Sequence, residues 1–599
     1  MVNVQRICVF LSLLLLVPLA VADSTSDRVD HLFERWDKPA SPGVALAVIS
    51  NGQIVYSHGY GLASLEYGVR ISPKTVFHIA FLSKQFTAFA IQLLVQDGRV
   101  SLDDDVRKYV PELQIKSSIK VRHLLHHTSG LRDQWDLLSL AGLRLDDVIT
   151  EDDILGMLFQ QRELNFAPGE EELYSNSGYT LLALIVKRVT GQSFAEFAQE
   201  RIFKPLGMRD THVQESYGMV VPGRAYSYER TTQGYRYVAL SYSNWGATSV
   251  FTTVEDIARW DRNFETGQAG GPAVLAAMHV RGRLNNGREI SYASGLVLGR
   301  YRALPIEEHT GSDAGYRADL LRFPEQHLTI AILANASDVN AVTLARGVAD
   351  IYLEGTPALA PIASRPPEMA MSVSETAPFL GEFQMRPGFL LRFTSEGHQL
   401  MVQATGQPKF PMFASSDNTF FVKAFEASVM FDPPGNGGVI RRGTWRQNGQ
   451  EIPIVRVMPY QPTEADLRAC VGEFYSDELR TLYSLSMQDG RLFLRYPRGR
   501  LPLVPLTQDV FTAPSAIGKV EVRRNSAGLC RGLAITTVRV RNRNSPTTTV
   551  LDGQCSDGLS RWLTSATSKA VGSNDPPIHS FNSSCSEWVG SASAARNSS

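Results

Sequence analysis

Between Gly355 and Ala377 the chain changes character. The stretch GTPALAPIASRPPEMAMSVSETA is rich in Pro and Ala, the composition of a linker. Before it, helix-like and strand-like apolar runs are mixed. After it, helical periodicity stops. Short alternating runs such as Phe389–Phe393 and Thr419–Val422 are split by Gly, Asn and Pro, the pattern of small all-β units. A chain of 599 residues cannot be served by one hydrophobic core. The break therefore partitions it: an α/β domain over 23–355, a linker over 356–377, and two small antiparallel barrels over 378–459 and 460–543. Met458-Pro459-Tyr460-Gln461-Pro462 punctuates the two barrels. An internal repeat supports the pair, because Phe379-Leu380-Gly381-Glu382-Phe383 returns as Cys470-Val471-Gly472-Glu473-Phe474. Each copy leads through a Gly-containing turn to an alternating strand, HQLMVQA and then GRLFLRY. Its spacing of about 90 residues fits a small barrel. Residues 544–599 are rich in Ser, Thr, Asn and Gly and read as a mostly disordered tail, ill-matched to the rest of the chain.

At the other end, Arg6 precedes the apolar run ICVFLSLLLLVPL, and Ala20-Val21-Ala22 supplies a small-x-small cleavage pattern. This reads as a secretory signal peptide over residues 1–22, cut after Ala22, giving a secreted or periplasmic protein. The run is short for a spanning helix and carries Pro18, and no later stretch is long and apolar enough to cross a bilayer. The net charge of −1 draws the chain to neither nucleic acid nor an anionic membrane. Past the leader the cysteines are Cys470, Cys530, Cys555 and Cys585. Export permits disulfides, and Cys470 with Cys530 is a candidate pair, but spacing fixes no connectivity. The α/β domain holds no cysteine, so a cysteine nucleophile or thiolate metal site is excluded there.

Within that domain, Gly43–Ile49 and Ile54–Tyr56 flank Asn51-Gly52, the strongest short hairpin signal. Helices are expected over Leu82–Asp97, stopped by Gly98, over Gly178–Val189, closed by Thr190-Gly191, and over Val254–Phe264, after a Thr252-Thr253 cap. Tyr316–Phe323 and Leu328–Leu333 read as strands around Pro324–His327, and Ala341–Tyr352 as a last helix. Strands at both ends with helices between imply an α/β layer architecture rather than a βαβ repeat.

Three short motifs bear on chemistry: Phe81-Leu82-Ser83-Lys84 at a helix start, Tyr174-Ser175-Asn176, and His309-Thr310-Gly311. Alone, each has a bland reading as surface lysine, chance triplet or turn. Their order and context say more. A Ser-Lys-Gln-Phe-Thr helix start is followed by Leu124-Leu125-His126-His127-Thr128-Ser129-Gly130-Leu131, then Pro168-Gly169 before Tyr174-Ser175-Asn176, then Phe203 to Met208 (FKPLGM), a Glu255-Asp256-Ile257-Ala258-Arg259-Trp260 helix, and His-Thr-Gly before a strand pair. From about Ser41 to Tyr352 the chain resembles the family of class C β-lactamases, D-Ala-D-Ala carboxypeptidases, related esterases and D-aminopeptidases. With two β modules behind it, the plan looks like the D-aminopeptidase type. The resemblance implies a β-lactamase/transpeptidase-like fold, an antiparallel sheet flanked by helices with a helical subdomain. It also implies acyl-enzyme hydrolysis.

In that family a serine and a lysine stand three apart on a helix. Three residues turn a helix by about 300°, so both side chains share one face. The lysine and a tyrosine take the serine proton if burial and neighbouring positive charge depress their pKa values. Main-chain N–H groups form the oxyanion hole. Carried over, the resemblance implies Lys84 as the lysine, Tyr174 as the tyrosine and His309 facing the cleft. Asn176 would orient the substrate amide or the lysine. Thr310, Gly311 and Ser312 would line the substrate strand, and the N–H groups of Phe81 and Ser312 would form the oxyanion hole. His-Thr-Gly in place of Lys-Thr-Gly looks more like the peptidase branches than a dedicated β-lactamase.

The departure is the serine itself, since Phe81 stands three residues before Lys84. A benzyl group has no nucleophilic atom and adds volume at the cleft floor. Ser83 points about 160° away on a helix and is too short to reach back. Three readings stay open: a ligand-binding homologue that no longer turns substrate over, a hydrolase using another nucleophile or an activated water, and a damaged copy of an active gene. The ligand expected is a small molecule or peptide, peptidoglycan-derived or containing D-amino acids. We assign no cofactor and no metal, because His123, His126 and His127 belong to the His-Thr-Ser-Gly turn and no cysteine stands at ligand spacing.

Overall fold

The computed structural model describes residues 24–356, 367–541 and 549–550, apart from gaps at 387–388, 406–408, 424–426, 436–437, 448–449, 459, 514–516, 527 and 529. The expected signal peptide, residues 357–366 of the expected linker, Cys555, Cys585 and nearly all of the expected tail lie outside the described residues.

The first domain is built on a six-stranded sheet whose paired neighbours are all antiparallel. Its order is Val297–Tyr301, Leu304–Asp313, Tyr316–Phe323, Leu328–Ala334, Val44–Ser50, Gln53–Tyr60. Asn51 and Gly52 both take positive φ (50° and 69°), which closes the hairpin the sequence signals. The strand Val44–Ser50 is buried on both faces, and its alternation sorts large from small. Val44, Leu46 and Val48 pack with Val29 and Phe33 of the first helix and with Leu344 and Val348 of helix Ala341–Tyr352. Ala45 and Ala47 face the other way, where small side chains admit the main helical core of Phe86, Phe89 and Trp260. The sheet thus separates two helical layers, as the sequence pattern requires.

Beyond the linker, eight strands from Gly381–Arg386 to Gln450–Arg456 close into an antiparallel barrel around Phe383, Phe393, Phe420 and Phe431. The second module comprises a five-stranded and a four-stranded sheet. The two modules differ in attachment. The barrel has its own core, whereas apolar residues of the second module, among them Phe474, Tyr483 and Val540, are continuous with the core of the first domain. Tyr483 Oη donates to the Leu140 carbonyl (2.8 Å), and Arg132 donates to Glu478 (2.7 Å) from a side chain only 3% exposed.

One expectation is corrected. Cys470 and Cys530 are free thiols rather than a disulfide. The Cys470 thiol donates to the Asp466 carbonyl (3.3 Å), and the Arg524 guanidinium donates to Cys470 Sγ (3.3 Å), so that sulfur is engaged otherwise.

Candidate active site

The site forms where the Lys84 helix, the His309 strand and the start of helix Asn176–Thr190 converge. Ala80–Ser83 is a 3-10 turn that runs straight into helix Lys84–Gln96. Ala80 has φ +49°, a left-handed conformation that costs a side-chain-bearing residue free energy. The close crossing of the His309 strand explains the glycine of His-Thr-Gly. A Cβ on Gly311 would lie 2.2 Å from the Ile79 carbonyl oxygen and 3.2 Å from Ala80 Cβ. No other residue lets the strand approach so closely, and this contact lays the main chain near Ser312 beside the Phe81 turn.

Lys84 is fully buried. Its Nζ donates to Asn176 Oδ1 (2.8 Å) and to the Ala247 carbonyl (2.9 Å). The Phe81 ring centroid is 4.3 Å away and that of Tyr174 is 4.8 Å away. Burial pushes the amine pKa well below its usual range. Asp133 and Asp313 act in the opposite sense, while Arg539 adds to the depression. Asn176 in turn is fixed by Asp133, whose Oδ2 accepts from both the Asn176 main-chain N–H and its Nδ2 (2.8 Å each). With its amide so held, Asn176 presents oxygen to Lys84. Of the two roles expected for Asn176, the geometry matches orientation of the lysine.

Tyr174 lies edge-on to Phe81, ring centroids 6.2 Å apart, and 4.2 Å from the His127 ring. Its hydroxyl is buried with no hydrogen-bond partner among the described residues. To take a serine proton, Tyr174 would need a depressed pKa. The structure reverses the direction: burial pushes it well up, because a phenolate would be desolvated, and the opposing charge of Arg539 does not overcome this.

His309 is buried, 4% exposed, with its ring centroid 6.4 Å from that of Tyr174. Its Nδ1 lies 2.8 Å from the Thr310 carbonyl and its Nε2 lies 3.0 Å from Tyr292 Oη. A carbonyl only accepts, so Nδ1 carries the proton and Nε2 accepts from the tyrosine. Burial, then the Lys84 charge, lowers its pKa to about 3, which keeps the ring neutral. Strand alternation puts Gly311 on the His309 side, while Thr310 and Ser312 are exposed on the other. Their side chains are therefore not gathered with Lys84. Ser83 Oγ donates to the Ala80 carbonyl (2.6 Å) and accepts from the Val250 N–H (3.2 Å), a buried structural role away from the lysine amine. His123 and His127 each accept a main-chain N–H through Nδ1, from Lys120 and Ser175.

Sequence reasoning missed several members of this cluster. Asp133 follows directly on the His-Thr-Ser-Gly-Leu-Arg turn, which was the available signal. Tyr292 carried none. Arg539 comes from the second β module. Its segment is clamped to the first domain: the Arg539 N–H donates to Asp136 Oδ2 (3.0 Å), and its carbonyl accepts from Asn165 Nδ2 (2.9 Å) and the Asp133 N–H (3.3 Å). The guanidinium then reaches over the Tyr174 ring, 5.3 Å from its centroid.

A layered antiparallel sheet with a buried lysine at a helix start, met by Tyr-x-Asn and His-Thr-Gly, defines a β-lactamase-like protein. Residues 29–353, more than half of the chain, match the Beta-lactamase family, and the chain belongs to it. It is 29% identical over 436 residues to penicillin-binding protein 4* of Bacillus subtilis (strain 168), covering 67% of this chain and 93% of that protein. It is 27% identical over 295 residues to a D-aminopeptidase of Gluconobacter oxydans (strain 621H), covering 49% of this chain and 56% of that one. Among solved structures, the octameric penicillin-binding protein homologue from Pyrococcus abyssi aligns with a TM-score of 0.49 and 20% identity, covering 77% of this chain and 96% of that one.

Proposed function

We propose that this chain binds a peptide containing D-amino acids, such as a peptidoglycan fragment, at the Lys84–Tyr174–Asn176 cleft and does not turn it over. The observation that carries this reading is the surroundings of the Lys84 amine. Its acceptors are an amide oxygen and a main-chain carbonyl, and the side chain one helical turn before it is the Phe81 ring. Acyl transfer needs a hydroxyl there for the amine to deprotonate. The ligand class is taken from the relatives, one named for binding penicillin and one for D-aminopeptidase activity. We also propose that residues 1–22 direct export and are removed after Ala22, which would bring the protein to such ligands.

The rival reading, a hydrolase with another nucleophile, has one observation in its favour: the unpartnered Tyr174 hydroxyl. Its raised pKa keeps that hydroxyl neutral and a poor attacker, so binding is the better-supported reading. Equilibrium dialysis with a radiolabelled penicillin, followed by denaturation, separates the two. We expect saturable label that is released intact on denaturation. Label retained by the denatured chain, or recovered as hydrolysed product, refutes the proposal, as does no saturable binding of the penicillin or of a blocked D-dipeptide.

A further inference from the structure

We infer that Arg539, a residue of the second β module, is the receptor for a carboxylate on the ligand, so that the cleft selects acidic over neutral or amidated peptides. This rests on the peptide-binding reading above and adds the charge of the ligand to it. Four observations combine.

First, the position of Arg539 is built rather than incidental. Its main chain is held on both sides by Asp136, Asn165 and the Asp133 N–H, and the neighbouring Arg541 N–H donates to Asn165 Oδ1 (2.6 Å). Second, its guanidinium has donors to spare. Its nearest carboxylate is Asp133 Oδ2 at 3.7 Å, beyond hydrogen-bond reach, and that oxygen already accepts two hydrogen bonds from Asn176. The Arg539 side chain is 34% exposed, so a ligand can reach it, whereas Asp133 is fully buried. Third, the charge is felt inside the cleft. Arg539 lowers the pKa of Lys84, of His127 and, against the effect of burial, of Tyr174. Fourth, the Tyr174 ring lies under the guanidinium, and its buried hydroxyl lacks a partner among the described residues. A carboxylate placed there would accept from the planar fork of Arg539 and from Tyr174 Oη together. A ligand ammonium in the same place would meet the positive charge of Arg539.

The comparison uses the full-length protein and calorimetric titration with two probes, N-acetyl-D-alanyl-D-alanine and its C-terminal amide. The free acid should bind the unmodified protein at least about tenfold more tightly than the amide. Arg539→Gln should bring the ratio of acid to amide affinity to about one, and Arg539→Lys should restore part of the preference. Equal binding of acid and amide by the unmodified protein overturns the assignment and leaves the binding reading standing. That comparison involves no variant, so a folding defect cannot obscure it. Retention of the preference in Arg539→Gln also overturns it. If neither probe binds, the peptide-binding reading itself falls, and the assignment with it.

Discussion

Lys84 is a buried amine, and the residue three positions before it is Phe81, which carries no hydroxyl. The amine is desolvated, fixed by Asn176 and Ala247, and capped by an aromatic ring. A ring face attracts an ammonium, but it offers the amine no proton to remove. The Phe81→Ser variant should therefore gain function. We expect hydrolysis of a nitrophenyl ester at least about a hundredfold above the unmodified chain, with a covalent acyl-enzyme trapped in single-turnover mass spectra. Loss of the half-buried ring should cost about 1–3 kcal/mol of stability, read from the denaturant midpoint. If the variant folds and stays inert, the defect reaches beyond residue 81. The residues carrying the lysine environment were only partly legible. Lys84, Tyr174 and Asn176 stand in short motifs, but Asp133, which fixes Asn176, is a lone acidic residue after a turn, and nothing in sequence marks it as the partner of an amide 43 residues on.

At the scale of elements, the crossing of the His309 strand over the 3-10 turn sets the site's geometry. Gly311→Ala would force a Cβ to 2.2 Å from a carbonyl oxygen, and the strand must move. We expect a loss of about 2–4 kcal/mol together with lost ligand binding. Gly397→Ala in the barrel is the control: φ is +62° with nothing within 4 Å of the added Cβ, so the cost is about 1 kcal/mol of backbone strain alone. Equal midpoints for the two variants would contradict the close-crossing account. The Asn51-Gly52 hairpin, the strand pair around Pro324 and the capped helix Val254–Thr266 were all readable, because each is fixed by local turn or capping chemistry. The 3-10 turn before Lys84 was not. Ala80 adopts its left-handed φ through tertiary contact with a strand some 230 residues away, which local propensity does not encode.

At the scale of the molecule, the second β module belongs with the first domain, while the barrel between them in sequence keeps a separate core. The break near Gly355 and the five-residue repeat made the all-β character of the region beyond it legible. The repeat could not reveal that only the second docks on the cleft and supplies Arg539. Burial also gives the fold a pH dependence. His78 and His309 are held near 3, and His123 and His126 near 4, chiefly by desolvation. All four titrate near 6.5 when unfolded, so between these limits the unfolded chain binds more protons. Stability contributed by the neutral rings is thus full above about pH 6.5 and is lost as pH falls towards the folded values, at up to about 1.4 kcal/mol per unit of depression for the buried rings and less for the more exposed His123. A melting temperature that drops steeply between about pH 6 and pH 4 is expected, and Phe substituted at His309 should flatten part of that slope. A flat profile over that range would show that these histidines are not buried as neutral rings.

Intact-mass spectrometry after incubation of the unmodified protein with a fluorophosphonate shows whether a reactive nucleophile stands beside the Lys84 amine. An unshifted mass is expected, with Phe81→Ser labelled to completion alongside it. A stoichiometric adduct on the unmodified chain, mapped to any residue of the cleft, would contradict it.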